Sequence, residues 1–485
     1  MGIAAAFDGV TIGVLISRDC GARLTEIAMN DGAAMQTLEL PRSCEHPLKV
    51  QRGPSLRHNL GVSPRRVARV ATSGAGARSS VACVMLLLCR VTKRCNTKWR
   101  QREITSCNWT GSQVMRIGLF YQIQVPKPWT AGSESQRIYE CLDQIPYAEQ
   151  QGFESAWFSE HHFRPVWSHN SAPDLTLAAV SQRTERIRLG VGVVLAPIHH
   201  PLHIAARMAT LDILSHGRVD VGLGRTGYPY QLTPYGSDLR DTRGMWQEFA
   251  DVLPRIWTEE TVSYQGEYYK FLPREVLPKP VQRPHPPLWS ACGSDDTARL
   301  TGGLGMGGLF GSEGGPDRVE QLMAIYRDAL RTAPTREGPA PRAALMTAGF
   351  CHEDPKVVAE RGTELVAWYI EQQRERARLV WRDYDPSTVP PDYRGYYQRD
   401  QRLASGPHPG EPTPQQVRER GTSFCVGTPA ECIRFIELYE ALGIQEVILL
   451  CAIGPMRHEE VLHTLRLFGD QVIPHFKAKE RRAAD

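Results

Sequence analysis

Residues 187–223, IRLGVGVVLAPIHHPLHIAARMATLDILSHGRVDVGL, decide the fold. The opening run IRLGVGVVL, 187–195, is apolar and rich in β-branched residues, as a buried strand is. Ile204, Met208 and Leu211 then share one helical face, and Gly217 stands where such a helix would stop. A second β-rich run, RVDVGL, follows at 218–223. Strand, helix and strand in this order predict two parallel strands joined by a right-handed crossover.

Outward from this unit the pattern repeats. Strands are predicted at about 116–121 (RIGLFY), 155–159 (SAWFS), 287–291 (PLWSA), 306–310 (MGGLF), 343–350 (AALMTAGF) and 446–451 (EVILLC), making eight with the two above. Thr428, Pro429, Ala430 and Glu431 read as a capping-box helix start with Pro at the first helical position, and Gly443 closes that helix. The expected fold is α/β: a (β/α)8 TIM barrel with insertions and with its helices outside. Two connections are too long for simple crossovers. Residues 225–286 contain a hairpin-like TVSYQGEYYKF with Gly266 at its turn, and residues 352–445 contain a helix over 355–382, then a Pro-, Tyr- and Gly-rich stretch, 383–414. Both follow a strand, so both should rise from the catalytic face as lids or binding loops.

Composition divides the chain. The 485 residues include 57 Lys and Arg against 53 Asp and Glu, and 41% are hydrophobic, which excludes a wholly disordered, collagen-like or multi-span membrane protein. A net charge of +4 gives no case for a nucleic-acid partner. Residues 1–114, however, hold 16 basic and 7 acidic residues and half of the 12 cysteines. They show no sustained period, and their cysteines have neither metal-ligand nor readable disulfide spacing. The apolar run VACVMLLLC, 81–89, is too short to span a bilayer and too far from the start to be a signal segment. Residues 1–114 are therefore expected to be a basic, low-order leader, either a targeting arm or upstream sequence translated from an early start codon. Met115 opens directly onto a strand, and residues 115–485 form the expected barrel domain.

Reactive groups of such barrels sit at the C-terminal ends of the strands. SEHHF, 159–163, places His161 and His162 just past the second strand, suited to proton transfer near neutral pH or to holding a cofactor. A metal is not expected, because no carboxylate stands at ligand spacing with this pair or with His199 and His200. GLGRTG, 222–227, has the dinucleotide glycine spacing, but Pro229 and Pro234 follow and no helix is expected to open there. Its glycines read as room for a ligand, and Arg225 as a phosphate partner. CGSDDTARL, 292–300, runs from a strand end into a helix start, so free backbone N–H groups at Gly293 and Ser294 should make an anion pocket, with Asp295 and Asp296 facing away. Cys292 lacks an activating base and reads as a small buried residue at that turn. Together these elements suggest a phosphorylated cofactor.

The runs RIGLFYQ, FESAWFSEHHF, RIRLGVGVVLAPIHHP, LDILSHGRVDVGLGR and GTPAECIRF resemble the bacterial luciferase-like flavin-dependent monooxygenases over residues 115 to about 475. The resemblance implies a TIM barrel that binds reduced FMN (FMNH2) from a separate flavin reductase and uses O2, through a C4a-peroxyflavin, to oxidise a small or medium apolar organic substrate. It implies that His161 assists this chemistry, that Arg225 meets the flavin phosphate beside Gly293 and Ser294, and that Gly192 and Val193 form a cis peptide under the flavin ring. Tyr121 and Cys292 are counted with them as cofactor contacts. A cytoplasmic homodimer, with no membrane association, is expected. Two alternatives stay open: hydride transfer with F420 as cofactor, and flavin binding without turnover.

Overall fold

The computed structural model describes the body over residues 115–226, 228–334, 340–382 and 384–484, with strand backbone at 2–7, 10–17, 23–29, 37–38 and 48–51. The chain divides into two units, Met1–Gly111 and Ser112–Asp485. In the first unit the five strands form one sheet, with Leu48–Gln51 between Arg23–Met29 and Thr37–Leu38. The run 81–89 and most of the expected low-order leader lie outside the described residues.

The second unit contains the eight expected strands: β1 (Arg116–Tyr121), β2 (Ser155–Phe158), β3 (Arg188–Leu195), β4 (Val219–Gly224), β5 (Leu288–Ala291), β6 (Gly307–Gly311), β7 (Ala343–Cys351) and β8 (Glu446–Leu450). Each lies parallel to its neighbours, and the sheet closes through β8 on β1 and β6 on β7, with Glu446 opposite Arg116 and Gly308 opposite Ala343. This is the predicted TIM barrel; closure leaves none of its eight strands at an edge, and a ninth short strand, Cys425–Gly427, pairs beside the end of β7. The helix Pro429–Ala441 starts as its sequence predicts, Glu431 accepting the Thr428 backbone N–H at 2.7 Å, and Gly443 ends the turn at φ +86°.

The interior of the barrel is sealed at its N-terminal end by large rings and matched charges. Trp157 and Trp289 meet edge to face at 5.3 Å. A Cβ on Gly190 would stand 2.1 Å from the Trp157 ring and one on Gly307 2.5 Å from Trp289, so both positions need glycine. Buried Asp220 accepts from Arg188 at 2.5 Å and from Trp289 Nε1 at 3.0 Å. Buried Glu446 accepts from Ser155 Oγ at 2.5 Å and Trp157 Nε1 at 3.3 Å, with Arg342 at 3.5 Å. The two carboxylates are fully matched, as burial requires, and of the groups named here Arg342 Nη1 lacks a partner.

Both long connections carry more helix than expected. After β4 a one-turn helix opens at Pro229–Leu232, followed by Thr242–Thr258 and then the hairpin of Val262–Gln265 and Lys270–Arg274. The expected helix 355–382 is broken into Pro355–Val357, a π-helical turn Val358–Gly362 and Thr363–Val380. The stretch expected to be irregular contains the helix Arg394–Ala404. Its apolar side chains, with Val380 and Trp381, pack on Leu232 and Leu239 in a small cluster distinct from the barrel core. No helix among the described residues is long and apolar enough to cross a membrane.

Candidate active site

Past β2 the chain turns over the barrel rim, and Glu160 organises the turn. Its buried carboxylate accepts from His162 Nε2 at 2.9 Å, His199 Nε2 at 2.6 Å and the Leu195 backbone N–H at 2.9 Å. Burial would raise its pKa, but these hydrogen bonds outweigh burial and hold it down to about 2. The carboxylate thus fixes the tautomers of both histidines, and His162 Nδ1 is left to accept from Tyr235 Oη at 2.9 Å. Glu160, which stands at no metal-ligand spacing in the sequence, joins His162 of one histidine pair to His199 of the other as their common hydrogen-bond acceptor. Three rim residues close by, Ile123, Phe163 and Val166, have φ of 53°, 57° and 70°, a left-handed backbone that side chains with Cβ rarely adopt.

His161 points elsewhere. Its backbone N–H donates to Asn170 O at 3.1 Å, and Asn170 Nδ2 donates to Ser159 O at 2.8 Å, so the loop is held from both sides. The ring lines a cavity of about 600 Å³ at the C-terminal mouth, and its Nδ1 has no partner. Desolvation in this cavity, aided by the neighbouring Arg164 charge, pushes the His161 pKa down to about 3, so the ring is neutral at physiological pH.

The cavity is also lined by Phe120, Gln122, Gly192, Ala291 and Gly293. The Gly192–Val193 peptide is cis, as the resemblance implied. Tyr121 does not share the cavity. The side chains of β1 alternate, so Phe120 and Gln122 face inward while Tyr121 stacks on Phe158 at 5.2 Å among the outer residues, its hydroxyl unpartnered. The Cys292 side chain is likewise turned away: its thiol contacts Ser290 O at 3.6 Å, and burial raises its pKa to about 12. These two placements correct the expected cofactor contacts. The space expected for a ligand at Gly222 and Gly224 is filled by Val193, whose side chain would lie 2.8 and 2.3 Å from Cβ atoms built there.

The expected phosphate end is built but filled from within. Arg225 is buried and pairs with Asp392 at 2.6 Å, its guanidinium over the Tyr393 ring at 5.2 Å. It does not line the cavity. Arg243 reaches the same Asp392 oxygen at 3.6 Å and Asp296 at 2.5 Å. The Ser294 N–H donates to Thr297 Oγ1 at 3.0 Å, closing a capping box, so it is not the free donor expected. Tyr396 Oη stands 2.9 Å from a Cβ built on Gly293, and Tyr396 also bonds Ser294. Asp295 faces Arg318 at 2.7 Å, away from the cavity as expected. Gly192 and His161 thus line one cavity, whereas a phosphate reaching Arg225 would have to take the place of Asp392.

Sequence reasoning missed several groups. Arg164, Trp167, Tyr228 and Arg376 line the cavity; the first three lie just past the quoted SEHHF and GLGRTG runs, and Arg376 lies near neither. His352, Glu353 and His463 gather within 4.8 Å on the outer surface, but His352 Nδ1 already accepts from the Asp354 N–H at 3.0 Å.

A sequence profile described as luciferase-like monooxygenase matches residues 115–446. Limonene 1,2-monooxygenase of Rhodococcus erythropolis is 30% identical over 72% of this chain and 84% of its own length. The oxygenase component of the flavin-dependent trigonelline monooxygenase of Acinetobacter baylyi is 25% identical over 75% of this chain and 96% of its own. Among solved structures, an F420-dependent secondary alcohol dehydrogenase shares the fold, with a TM-score of 0.57 at 19% identity, covering 74% of this chain and 98% of that one.

Proposed function

The chain belongs to the luciferase-like monooxygenase family, whose members are oxidoreductases that incorporate oxygen, and we propose that it acts as an FMN-dependent monooxygenase fed with reduced flavin by a separate reductase. The observation that carries this reading is His161: a neutral imidazole with an unpartnered Nδ1, on a cavity that Gly192, Phe120 and Gly293 also line. The relative described as an oxygenase component supports the separate reductase. Catalysis is assigned to residues 115–485, in the cytoplasm and as a homodimer, leaving 1–114 as a leader.

When bound, reduced FMN would supply the activation of oxygen. The chain's own groups do the rest. Gly192 and Val193 would support the ring, and Gly293 and Arg225 would hold the phosphate once Asp392 leaves, with Ser294 joining them only if its N–H gave up Thr297. Glu160 keeps the loop rigid through three hydrogen bonds, so His161 is held in one orientation. His161, neutral at working pH, can accept a proton at Nδ1 from a group forming in the cavity and return it later. The rings of Trp167 and Tyr369, 5.2 Å apart, help to exclude water from that space.

Replacing His161 by Ala is expected to lower substrate oxidation by about 100-fold or more, the usual scale of general acid–base catalysis, while FMN affinity changes little. Equal loss of both would remove His161 from the proton-transfer role. The shared fold of the F420-dependent dehydrogenase favours a second reading, hydride transfer with F420. Anaerobic spectral titration with reduced FMN and with F420 separates the two. Tight flavin binding with no oxygen-dependent product across a substrate panel would instead support a binding protein without turnover.

A further inference from the structure

The wall of the cavity does not suit a wholly apolar molecule. Five arginines line it, Arg164, Arg374, Arg376, Arg399 and Arg420, against two glutamates. Most are answered. Arg376 and Arg399 share buried Asp400 at 2.9 and 3.0 Å, and Arg374 faces Glu411 at 3.2 Å. Arg420 lies exposed at the edge.

Arg164 differs from all of them. It is more than nine-tenths buried and has no carboxylate partner among the described residues, and its Nη2 makes no hydrogen bond. Its guanidinium is held over the rings of Trp167 at 4.9 Å and Tyr228 at 5.5 Å, and its own backbone carbonyl accepts the Ser168 N–H at 3.0 Å, so its position is fixed before any ligand arrives. Beside it, Trp167 also lines the cavity, and its Nε1 is a second buried donor without a partner. Two orphaned donors, one of them cationic, leave a site that lacks only an acceptor. A buried guanidinium is stable when an anion meets it, and the aromatic rings around it suit an apolar body attached to that anion.

We propose that the substrate carries a carboxylate or comparable anionic group, and that Arg164 with Trp167 Nε1 receives it, leaving the apolar remainder to extend toward His161. This names the substrate class of the site and rests on the flavin-monooxygenase reading only in taking the cavity to be where substrate binds. A flavin phosphate offers the same chemistry, so the test separates the two anions.

The full chain is titrated, without flavin, with benzoate and octanoate and with their neutral amides, followed by tryptophan fluorescence and calorimetry; FMN is titrated separately. The expected result is that the carboxylates bind at least tenfold more tightly than the amides. In Arg164→Gln this preference should vanish with FMN affinity unchanged, and Arg164→Lys should restore part of it. Equal binding of acids and amides by the wild-type chain overturns the proposal, and so does absence of binding by either. An Arg164→Gln variant that loses FMN as severely as carboxylate also overturns it, by giving the guanidinium to the flavin phosphate. Should Arg164→Gln fail to fold, the acid-to-amide ratio of the wild type and of Arg164→Lys decides. If FMN does not bind while the carboxylate preference stands, the flavin reading fails and this one survives.

Discussion

The two ends of the barrel are built from the same strands and treat polarity in opposite ways. At the N-terminal end the carboxylates of Asp220 and Glu446 are each surrounded by donors and each faces an arginine, although Arg342 Nη1 is left without a hydrogen bond. At the C-terminal end His161 Nδ1, Arg164 Nη2 and Trp167 Nε1 are buried without partners. An unsatisfied buried polar atom costs about 1–3 kcal/mol, so the mouth gives up stability that the base supplies. The difference separates residues that keep the fold from residues that wait for a ligand.

The largest expected effect breaks the base. Glu446→Ala would leave Ser155, Trp157 and Arg342 without their acceptor and should cost about 3–5 kcal/mol in urea unfolding, with FMN affinity retained below the midpoint. If Arg164→Gln costs as much stability as Glu446→Ala, the contrast between the two ends is wrong. The next pair sharpens the mouth. Arg225→Ala should weaken FMN binding by about 1.5–3 kcal/mol, whereas Asp392→Asn, which removes the internal competitor, should tighten it by about tenfold in a flavin fluorescence titration. Matching losses from both variants would show that Asp392 holds the arginine in place instead of competing for it.

Acid distinguishes the ends more gently. Unfolded, His161 takes up its proton as pH falls through its ordinary 6.5, but in the fold it resists until about 3. Its contribution to stability is therefore complete above pH 6.5 and declines steadily as pH falls toward 3. Glu160 follows with an ordinary value of 4.5 and a folded value of about 2, its contribution present above pH 4.5 and lost as pH falls through 2. Urea midpoints from pH 7 to 5 should fall in the native chain and fall less in His161→Gln; identical slopes would mean that the ring is not shielded. The smallest effect is expected from Tyr121→Phe, which removes an unpartnered hydroxyl: less than about 1 kcal/mol in stability, and no change in FMN affinity. A clear loss of FMN affinity would return Tyr121 to the cavity.

The barrel was legible because its signal is local and repeated. β-Branched runs such as 187–195 and 446–451 announce buried strands, and Thr428 to Glu431 announces a helix start within four residues. The facing of strand ends was not legible: Tyr121 and Phe120 are adjacent, and which of them meets the cavity depends on how the whole sheet closes. The glycines at 222 and 224 suggest room for a ligand, but the room is taken by Val193 from the neighbouring strand, which no local pattern announces. The pairing of Arg225 with Asp392 spans 167 positions, and no local pattern encodes it. Glu160 was visible beside its histidines, yet its role as their common acceptor needed His199 brought in from β3's end.

One consequence concerns heating. Val380, Trp381, Val389 and Tyr393 meet Leu232 and Leu239 in a patch separate from the main apolar interior. Few apolar side chains hold the covering segment down, beside the ion pairs of Asp392 and Asp400, whereas dozens hold the barrel together. Warming should therefore unseat the cover first, and a protease added at that temperature would nick residues 384–414 while the eight strands stay intact. The protein would forget what it recognises before it forgets its shape.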